Sequence, residues 1–88
     1  MCNAFKMIIF TKHALQKFET LRQYKMEIPI SKVIATVENP DTTDYSRPPL
    51  LIAQGKIDNG HVLRVVYKNQ GDNSIIITFY PGNIKRYQ

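Results

Sequence analysis

An arginine stands in the middle of an apolar stretch: Arg64 is the one charged residue of the segment VLRVVY. Burying an unpaired cation in such a strand is unfavourable. Arg64 is therefore expected to form an ion pair with an acidic residue, to reach solvent or to bind a ligand. A guanidinium presents a fork of N–H donors that matches two phosphate oxygens at once. Arg64 is therefore the first candidate for phosphate binding, with a structural ion pair as the alternative.

Further candidates lie towards both ends of the chain. His13 falls in the first turn of a predicted helix and is a candidate general base or acid, although a lone histidine there is more often a surface residue. Thr78 and Tyr80 alternate with apolar residues in the last predicted strand. Lys85–Tyr87 follow that strand, and we expect them to form one wall of the same site rather than a soluble tail.

The spacing typical of a metal centre or of an activated nucleophile is absent from the sequence. His13, His61 and the single cysteine, Cys2, are too scattered to form a ligand set. A Gly-rich phosphate loop and a G-x-S-x-G motif are also absent. The expected site therefore holds no metal and no cofactor, and consists of histidine, arginine, lysine, threonine and tyrosine side chains.

The pattern of apolar residues predicts an α+β fold in the order β-α-α-β-β-β. Thr11 is a suitable N-cap for a first helix that runs to about Tyr24, and Ser31 for a second helix that stops before Pro40. The segment DTTDYSRPP is predicted to be a polar loop. The runs LLIAQGKI, HVLRVVYK and SIIITFY are predicted to form an antiparallel meander. The two helices then cover one face of a mostly antiparallel sheet.

Strand register decides which residues share the other face of this sheet. A five-residue NQGDN loop pairs Lys68 with Ser74 and sets Arg64 opposite Thr78. One face of the last hairpin is then apolar and packs on the helices, with the side chains of Leu63, Val65, Tyr67, Ile75, Ile77 and Phe79. The opposite face presents the polar side chains of Gln54, Lys56, Arg64, Lys68, Thr78 and Tyr80.

Length and charge limit the class of protein further. Eighty-eight residues make a single domain, 1–88. The net charge is +5, and the acidic residues are concentrated in the middle of the chain, so that residues 1–32 and 61–88 are basic. If the two ends meet in space they form one positive face suited to RNA, with Lys17, Lys56, Lys85 and Arg86 as contacts and Tyr87 beside them. Without a membrane-length apolar run or an export signal, a cytoplasmic location is expected.

The order of four short motifs resembles a known family. The segments IIFTKHALQKF, ISKVIATVENP, LRVVY and IIITFYP…KRY are similar to those of small bacterial and archaeal domains of unknown function, grouped with the RelE- and BrnT-like ribonuclease toxins. The likeness spans nearly the whole chain. Lys17 stands where that family often has arginine, and RQYKMEIP is longer than the usual Arg-Gly turn. The motif positions are occupied by His13, Arg64, Thr78 and Tyr80.

The resemblance implies a metal-independent endoribonuclease that is the toxin of a toxin–antitoxin pair. Its RNA substrate would be free or ribosome-bound mRNA, and a cognate antitoxin would hold it inactive. His13 would serve as base or acid, Tyr80 or Tyr87 as its partner or as a stacking platform, and Arg64 would stabilise charge on the phosphorane. The alternative is a non-catalytic module that binds RNA or a protein through the same basic sheet face.

Overall fold

The computed structural model describes residues 7–23 and 28–83 of the chain. These residues form two helices and five strands. In chain order the elements are β1 (Ile8–Phe10), α1 (Lys12–Gln23), α2 (Ile30–Glu38), β2 (Thr42–Arg47), β3 (Leu50–Lys56), β4 (His61–Gln70) and β5 (Asn73–Asn83).

The five strands form one mixed sheet in the order β1-β5-β4-β3-β2. The last four strands pair antiparallel with their neighbours, and β1 joins the edge parallel to β5. A parallel partner needs a long crossover connection, which here contains both helices and the strands that follow them. The two-helix, mostly antiparallel α+β class predicted above is confirmed, but the predicted β-α-α-β-β-β order lacks one strand.

Thr11 fixes the start of α1, as its predicted role of N-cap requires. Its Oγ1 accepts the backbone N–H of Ala14 at 3.1 Å, which satisfies a donor at the open end of the helix. The same hydroxyl lies 2.9 Å from the carbonyl oxygen of Ile76, to which the Thr11 backbone N–H also donates. One threonine therefore caps α1 and attaches it to β5.

The second helix begins one residue before its predicted cap. Pro29 occupies the N-cap position with extended backbone and no side-chain capping bond, and Ser31 lies inside the helix. A proline suits this boundary because its fixed φ angle is compatible with it and its missing N–H needs no partner there. The prediction that Ser31 caps α2 was therefore wrong.

Both helices pack on one face of the sheet and share its core. The fully buried side chains include Ala14 from α1, Val33 from α2, and Leu63, Val65 and Phe79 from the central strands. Gly55 on β3 lies under α2, where an added Cβ would come within 3.2 Å of the Thr36 side chain. No helix in residues 7–23 and 28–83 is long and apolar enough to cross a membrane.

The segment predicted to be a polar loop contains the edge strand β2 instead. Thr42 pairs with Gln54 and Asp44 with Ile52, and a turn containing a cis peptide bond between Pro48 and Pro49 leads into β3. An edge strand has a partner on one side alone, and charged or polar residues there discourage pairing with other chains. The polar composition of Thr42–Arg47 is therefore compatible with an edge strand. The same composition is typical of a loop, and for this reason the sequence predicts a loop there.

The register of the last hairpin also differs from the prediction. Gly71, at φ 62°, lies in a short turn, so that pairing extends to Gln70 and Asn73. A register shift between Val66 and Tyr67 then places Arg64 opposite Tyr80 rather than Thr78. Because of this shift, Ile76 is the residue fully buried in the core, whereas the predicted core residues Ile75 and Ile77 are half-buried.

Candidate functional site

Arg64 lies at the middle of β4, on the face of the sheet turned away from the helices. Its neighbours Leu63 and Val65 belong to the helix-side core, and successive strand residues point to opposite faces. Gln54 is directly opposite Arg64 on β3, and Tyr80 is directly opposite it on β5. Three adjacent strands thus bring a guanidinium, an amide and a phenol together.

Each nitrogen of the guanidinium donates to a different side chain. Nε donates to the phenolic oxygen of Tyr80 at 3.1 Å, and Nη1 donates to Oε1 of Gln54. Nη2 donates to Oδ2 of Asp44, on the edge strand β2, at 3.3 Å. We call Arg64, Gln54, Tyr80 and Asp44 the Arg64 cluster. Arg64 and Gln54 each make further contacts in addition to these.

Exposure differs sharply across the ion pair of the cluster. The side chain of Arg64 is 10% exposed, whereas that of Asp44 is 38% exposed. The cation is therefore held inside the sheet face, and its counter-ion stands at the edge where solvent reaches it. The Arg64 cation is thus both paired with a carboxylate and hydrogen-bonded, as a charge buried in an apolar strand has to be.

Asp44 is held on its own strand as well as by Arg64. Its Oδ1 accepts the backbone N–H of Ser46 at 2.8 Å. Hydrogen bonds from Ser46 first, and then the Arg64 guanidinium, hold the pKa of the Asp44 carboxyl below its ordinary value. The carboxylate is therefore ionised at neutral pH.

Two of the other predicted residues lie on the sheet near the cluster. Thr78 is half-buried, pairs with Val66 and precedes Tyr80 by two residues on β5. Lys56 is exposed at the end of β3, and its backbone N–H donates to Oδ2 of Asp41 at 3.1 Å. Because the Lys56 side chain is exposed, its ammonium group is available to solvent, two residues beyond Gln54 on β3.

The two predicted residues of α1 are not brought to the cluster. His13 is exposed and Lys17 half-buried, on a helix that packs against the opposite face of the sheet from Arg64. Within residues 7–23 and 28–83, the His13 side chain makes no hydrogen bond or ion pair. Its predicted role as base or acid stays a prediction. Lys85, Arg86 and Tyr87 lie outside the described residues.

Asp44 is the member of the cluster that the sequence analysis missed. Asp44 falls in the segment predicted to be a loop, and an acidic partner is one of the alternatives that the sequence leaves open for Arg64. The segment TTDY carries a signal that was available: threonine and tyrosine favour strands, and alternation places Thr42 and Asp44 on one face. Gln54 was placed on the correct face but not as a partner of Arg64.

A second polar pair lies at the β3–β4 turn. His61 Nδ1 is 3.0 Å from Oδ1 of Asp58, which also accepts the backbone N–H of Gly60 at 2.8 Å. These two contacts, the Gly60 bond first, hold the pKa of the Asp58 carboxyl below its ordinary value. The part of the chain that the structure describes contains no group of three or more histidine, cysteine, aspartate or glutamate side chains able to hold a metal ion.

Comparison with known proteins assigns the chain to a family. No curated protein and no solved structure matches it. Residues 10–81 match the family described as Domain of unknown function (DUF4258), and the matched segment runs from the end of β1 almost to the end of β5. It includes every member of the Arg64 cluster as well as His13. Because the match covers most of the 88 residues, the chain belongs to the DUF4258 family of domains of unknown function.

Proposed function

We propose that the protein is a metal-independent endoribonuclease related to the RelE- and BrnT-like toxins, with its site at the Arg64 cluster. The observation that carries the proposal is the hydrogen bond from Arg64 Nε to the phenolic oxygen of Tyr80. It joins a group that binds phosphate to a group that can donate a proton. The net charge of +5 favours a polyanionic substrate such as RNA.

The proposed reaction needs no group beyond the RNA and the protein. A base removes the proton of a ribose 2′-hydroxyl, and the 2′-oxygen forms a bond to the adjacent phosphorus. The bond from phosphorus to the 5′-oxygen breaks, and that oxygen takes a proton from an acid. The products are a 2′,3′-cyclic phosphate and a 5′-hydroxyl.

Arg64 and Tyr80 have complementary roles in this reaction. The guanidinium stabilises the negative charge that develops on the phosphorane oxygens. Because the Tyr80 oxygen accepts the bond from Arg64 Nε, its own proton is not used in that bond and can pass to the leaving 5′-oxygen. We therefore assign Tyr80 as the general acid.

The identity of the base has weaker geometric support. Asp44 supplies the carboxylate of the Arg64 cluster, but the lowered pKa of its carboxyl makes it a poor base at neutral pH. The resemblance implies His13 as the base, but His13 lies on α1, which packs against the opposite face of the sheet from the Arg64 cluster, so we assign no residue to this role. The cognate partner of such a toxin would be an antitoxin whose acidic segment covers the basic face.

The test is cleavage of a long unstructured RNA by the purified protein in excess EDTA. We expect cutting that leaves 2′,3′-cyclic ends, and a rate reduced about 10²- to 10⁴-fold in Tyr80→Phe, as for loss of a general acid. Tyr45→Phe is the matched control, because Tyr45 is an exposed phenol on β2 outside the cluster. Equal rates for Tyr80→Phe and Tyr45→Phe, or no cutting by the intact protein, would reject the proposal.

A second candidate function is RNA binding without cleavage. It is favoured by the enclosure of Arg64, whose side chain is 10% exposed and has a partner on each nitrogen. It is also favoured by the position of His13 away from the cluster. Saturable binding of the same RNA, with no product ends after long incubation, would distinguish this function from the first.

A further inference from the structure

The guanidinium hydrogen bonds that Arg64 makes to Tyr80, Gln54 and Asp44 are not equivalent. Nε and Nη1 are bound by Tyr80 and Gln54, which lie on the two strands flanking β4. Nη2 is bound by Asp44, two strands away on the sheet edge. The first two partners fix the plane of the guanidinium, so it keeps its orientation if the third partner leaves.

The contact with Asp44 is only partly buried, as is the contact with Tyr80, whereas the contact with Gln54 is buried. Its Nη2–Oδ2 distance of 3.3 Å exceeds the 3.1 Å of the Nε–Tyr80 bond, and the Asp44 side chain is 38% exposed. The pair is therefore asymmetric, with a buried cation and a carboxylate that solvent reaches. The exposed Asp44 carboxylate thus marks a route by which an anion from solvent can reach Nη2.

Asp44 also has a second binding partner that remains when it releases Arg64. Its other oxygen, Oδ1, accepts the Ser46 N–H at 2.8 Å, within the same strand. The regular β2–β3 pairing is interrupted between Asp44 and Arg47, so this part of β2 is not fixed by a continuous ladder. The carboxylate can turn from Nη2 and still keep its bond to Ser46.

We propose that the Asp44 carboxylate is an internal competitor that occupies the phosphate position on Arg64 and is displaced when an RNA phosphodiester binds. Carboxylate and phosphate use the same kind of charge-assisted hydrogen bond to a guanidinium, so one can replace the other on Nη2. The inference rests on the proposed function for the choice of ligand. Its consequence is that Asp44 weakens RNA binding, although it sits within the site.

The experiment measures binding of a six-nucleotide uridine RNA that carries 2′-O-methyl groups. This probe has no 2′-hydroxyl to attack phosphorus, so affinity is read without cleavage, and the assay gives a result even if the protein does not cut RNA. We expect Asp44→Asn to bind the probe about fivefold more tightly than the intact protein, as for removal of one unit charge about 4 Å from a phosphate in water.

Two controls separate this from a general effect of charge. Asp41→Asn removes the same charge from the same region, but Asp41 contacts the backbone of Lys56 and not Arg64. Its gain in affinity should be well below fivefold. In an Arg64→Lys background, where the forked donor is lost, Asp44→Asn should give no more gain than Asp41→Asn.

The outcomes that would overturn the inference are clear. If Asp44→Asn binds the probe no better than the intact protein or Asp41→Asn, or if neither the intact protein nor Asp44→Asn binds it at all, Asp44 does not compete with phosphate. Tighter binding by Asp44→Asn without any RNA cleavage would support the competitor role while rejecting the catalytic proposal.

Discussion

Arg64 is held in the sheet by contacts that replace the water it loses. Moving a charged side chain to a position that is 10% exposed is unfavourable unless hydrogen bonds and an opposite charge compensate. Tyr80, Gln54 and Asp44 supply both. Removing the guanidinium therefore affects two buried or half-buried partners as well as the cation itself.

We predict that Arg64→Ala lowers the free energy of unfolding by about 1–3 kcal/mol, because Gln54 and Tyr80 each lose a hydrogen-bond partner in a poorly hydrated position. Urea denaturation followed by circular dichroism measures the change. Lys68→Ala, an exposed position on the same strand, is the control and should change stability by less than about 0.5 kcal/mol. Equal effects of the two substitutions would show that the Arg64 network is not stabilising.

The Asp58 carboxylate gives a prediction about pH. Its pKa is lower in the folded protein than in the unfolded chain, so its contribution is present above the ordinary value of 3.8 and is lost as pH falls through the lower folded value. Asp58→Asn keeps an oxygen that can accept the Gly60 N–H but cannot titrate.

We therefore expect the melting temperature of Asp58→Asn to fall less steeply than that of the intact protein as pH drops below about 4. Thermal melts between neutral and strongly acidic pH measure this slope. Asp72→Asn, an exposed position in the β4–β5 turn, is the control. If both variants follow the intact protein, Asp58 has no part in acid stability.

Among the secondary-structure elements, α1 is positioned by a single residue at its start. Thr11 caps the helix through Ala14 N–H, and its hydroxyl and backbone N–H both reach the carbonyl of Ile76 on β5. The aromatic contacts of Phe18 with Phe10 and Phe79 then continue the packing of α1 on the sheet. The orientation of α1, and with it the position of His13, therefore depends on the hydrogen bonds of Thr11 to Ala14 and Ile76.

We predict that Thr11→Ala lowers the free energy of unfolding by about 1–2 kcal/mol, because the cap and the bond to β5 are lost together. Thr11→Ser keeps the hydroxyl and should retain most of the stability that Thr11→Ala loses. The matched control is Thr20→Ala on the exposed side of α1, where the hydroxyl donates back to the Gln16 carbonyl and alanine is the better helix former. Urea denaturation of the three variants would contradict the assignment if Thr11→Ala and Thr20→Ala were alike.

The last hairpin shows how a wrong register can still give the right face. The prediction placed Arg64 opposite Thr78, and the structure places it opposite Tyr80. A shorter turn moves the pairing by one residue, and the register shift beside Val66 moves it by one more. Side chains alternate with a period of two, so the two shifts together return Tyr80 to the face of Arg64. Ile76 lies between the two shifts and is fully buried in the core, where the prediction placed its neighbours Ile75 and Ile77.

At the scale of the whole molecule, local patterns predicted the layers of the fold better than its edges. The two helices and four of the five described strands follow from runs and periodicity of apolar residues, since these elements bury one side in a common core. The edge strand β2 has little apolar content because it has little to bury, so periodicity does not reveal it. The site was predictable as far as Arg64 and its face, but its counter-ion Asp44 lies on that unrecognised strand.

The uneven charge of the chain connects the fold to the proposed substrate. The acidic residues are concentrated in 33–60, which supply β2 and β3, and the basic residues in 1–32 and 61–88. Arg64 lies between these regions, with Asp44 on one side and the phenol of Tyr80 on the other. A polyanion that binds at Arg64 meets the acidic edge at Asp44, and its affinity should fall as salt increases.

The measurement that tests the central claim most directly is RNA cleavage in EDTA by the intact protein beside Arg64→Lys. Lysine keeps the positive charge but cannot present the forked donor, so the variant isolates the geometry at Arg64 from the net charge. We predict cutting by the intact protein and a rate at least about 10²-fold lower in Arg64→Lys, as for the loss of one donor to a developing oxyanion. Equal cutting by both folded proteins, or cutting by neither, would contradict the proposal that Arg64 is the phosphate-binding group of a ribonuclease.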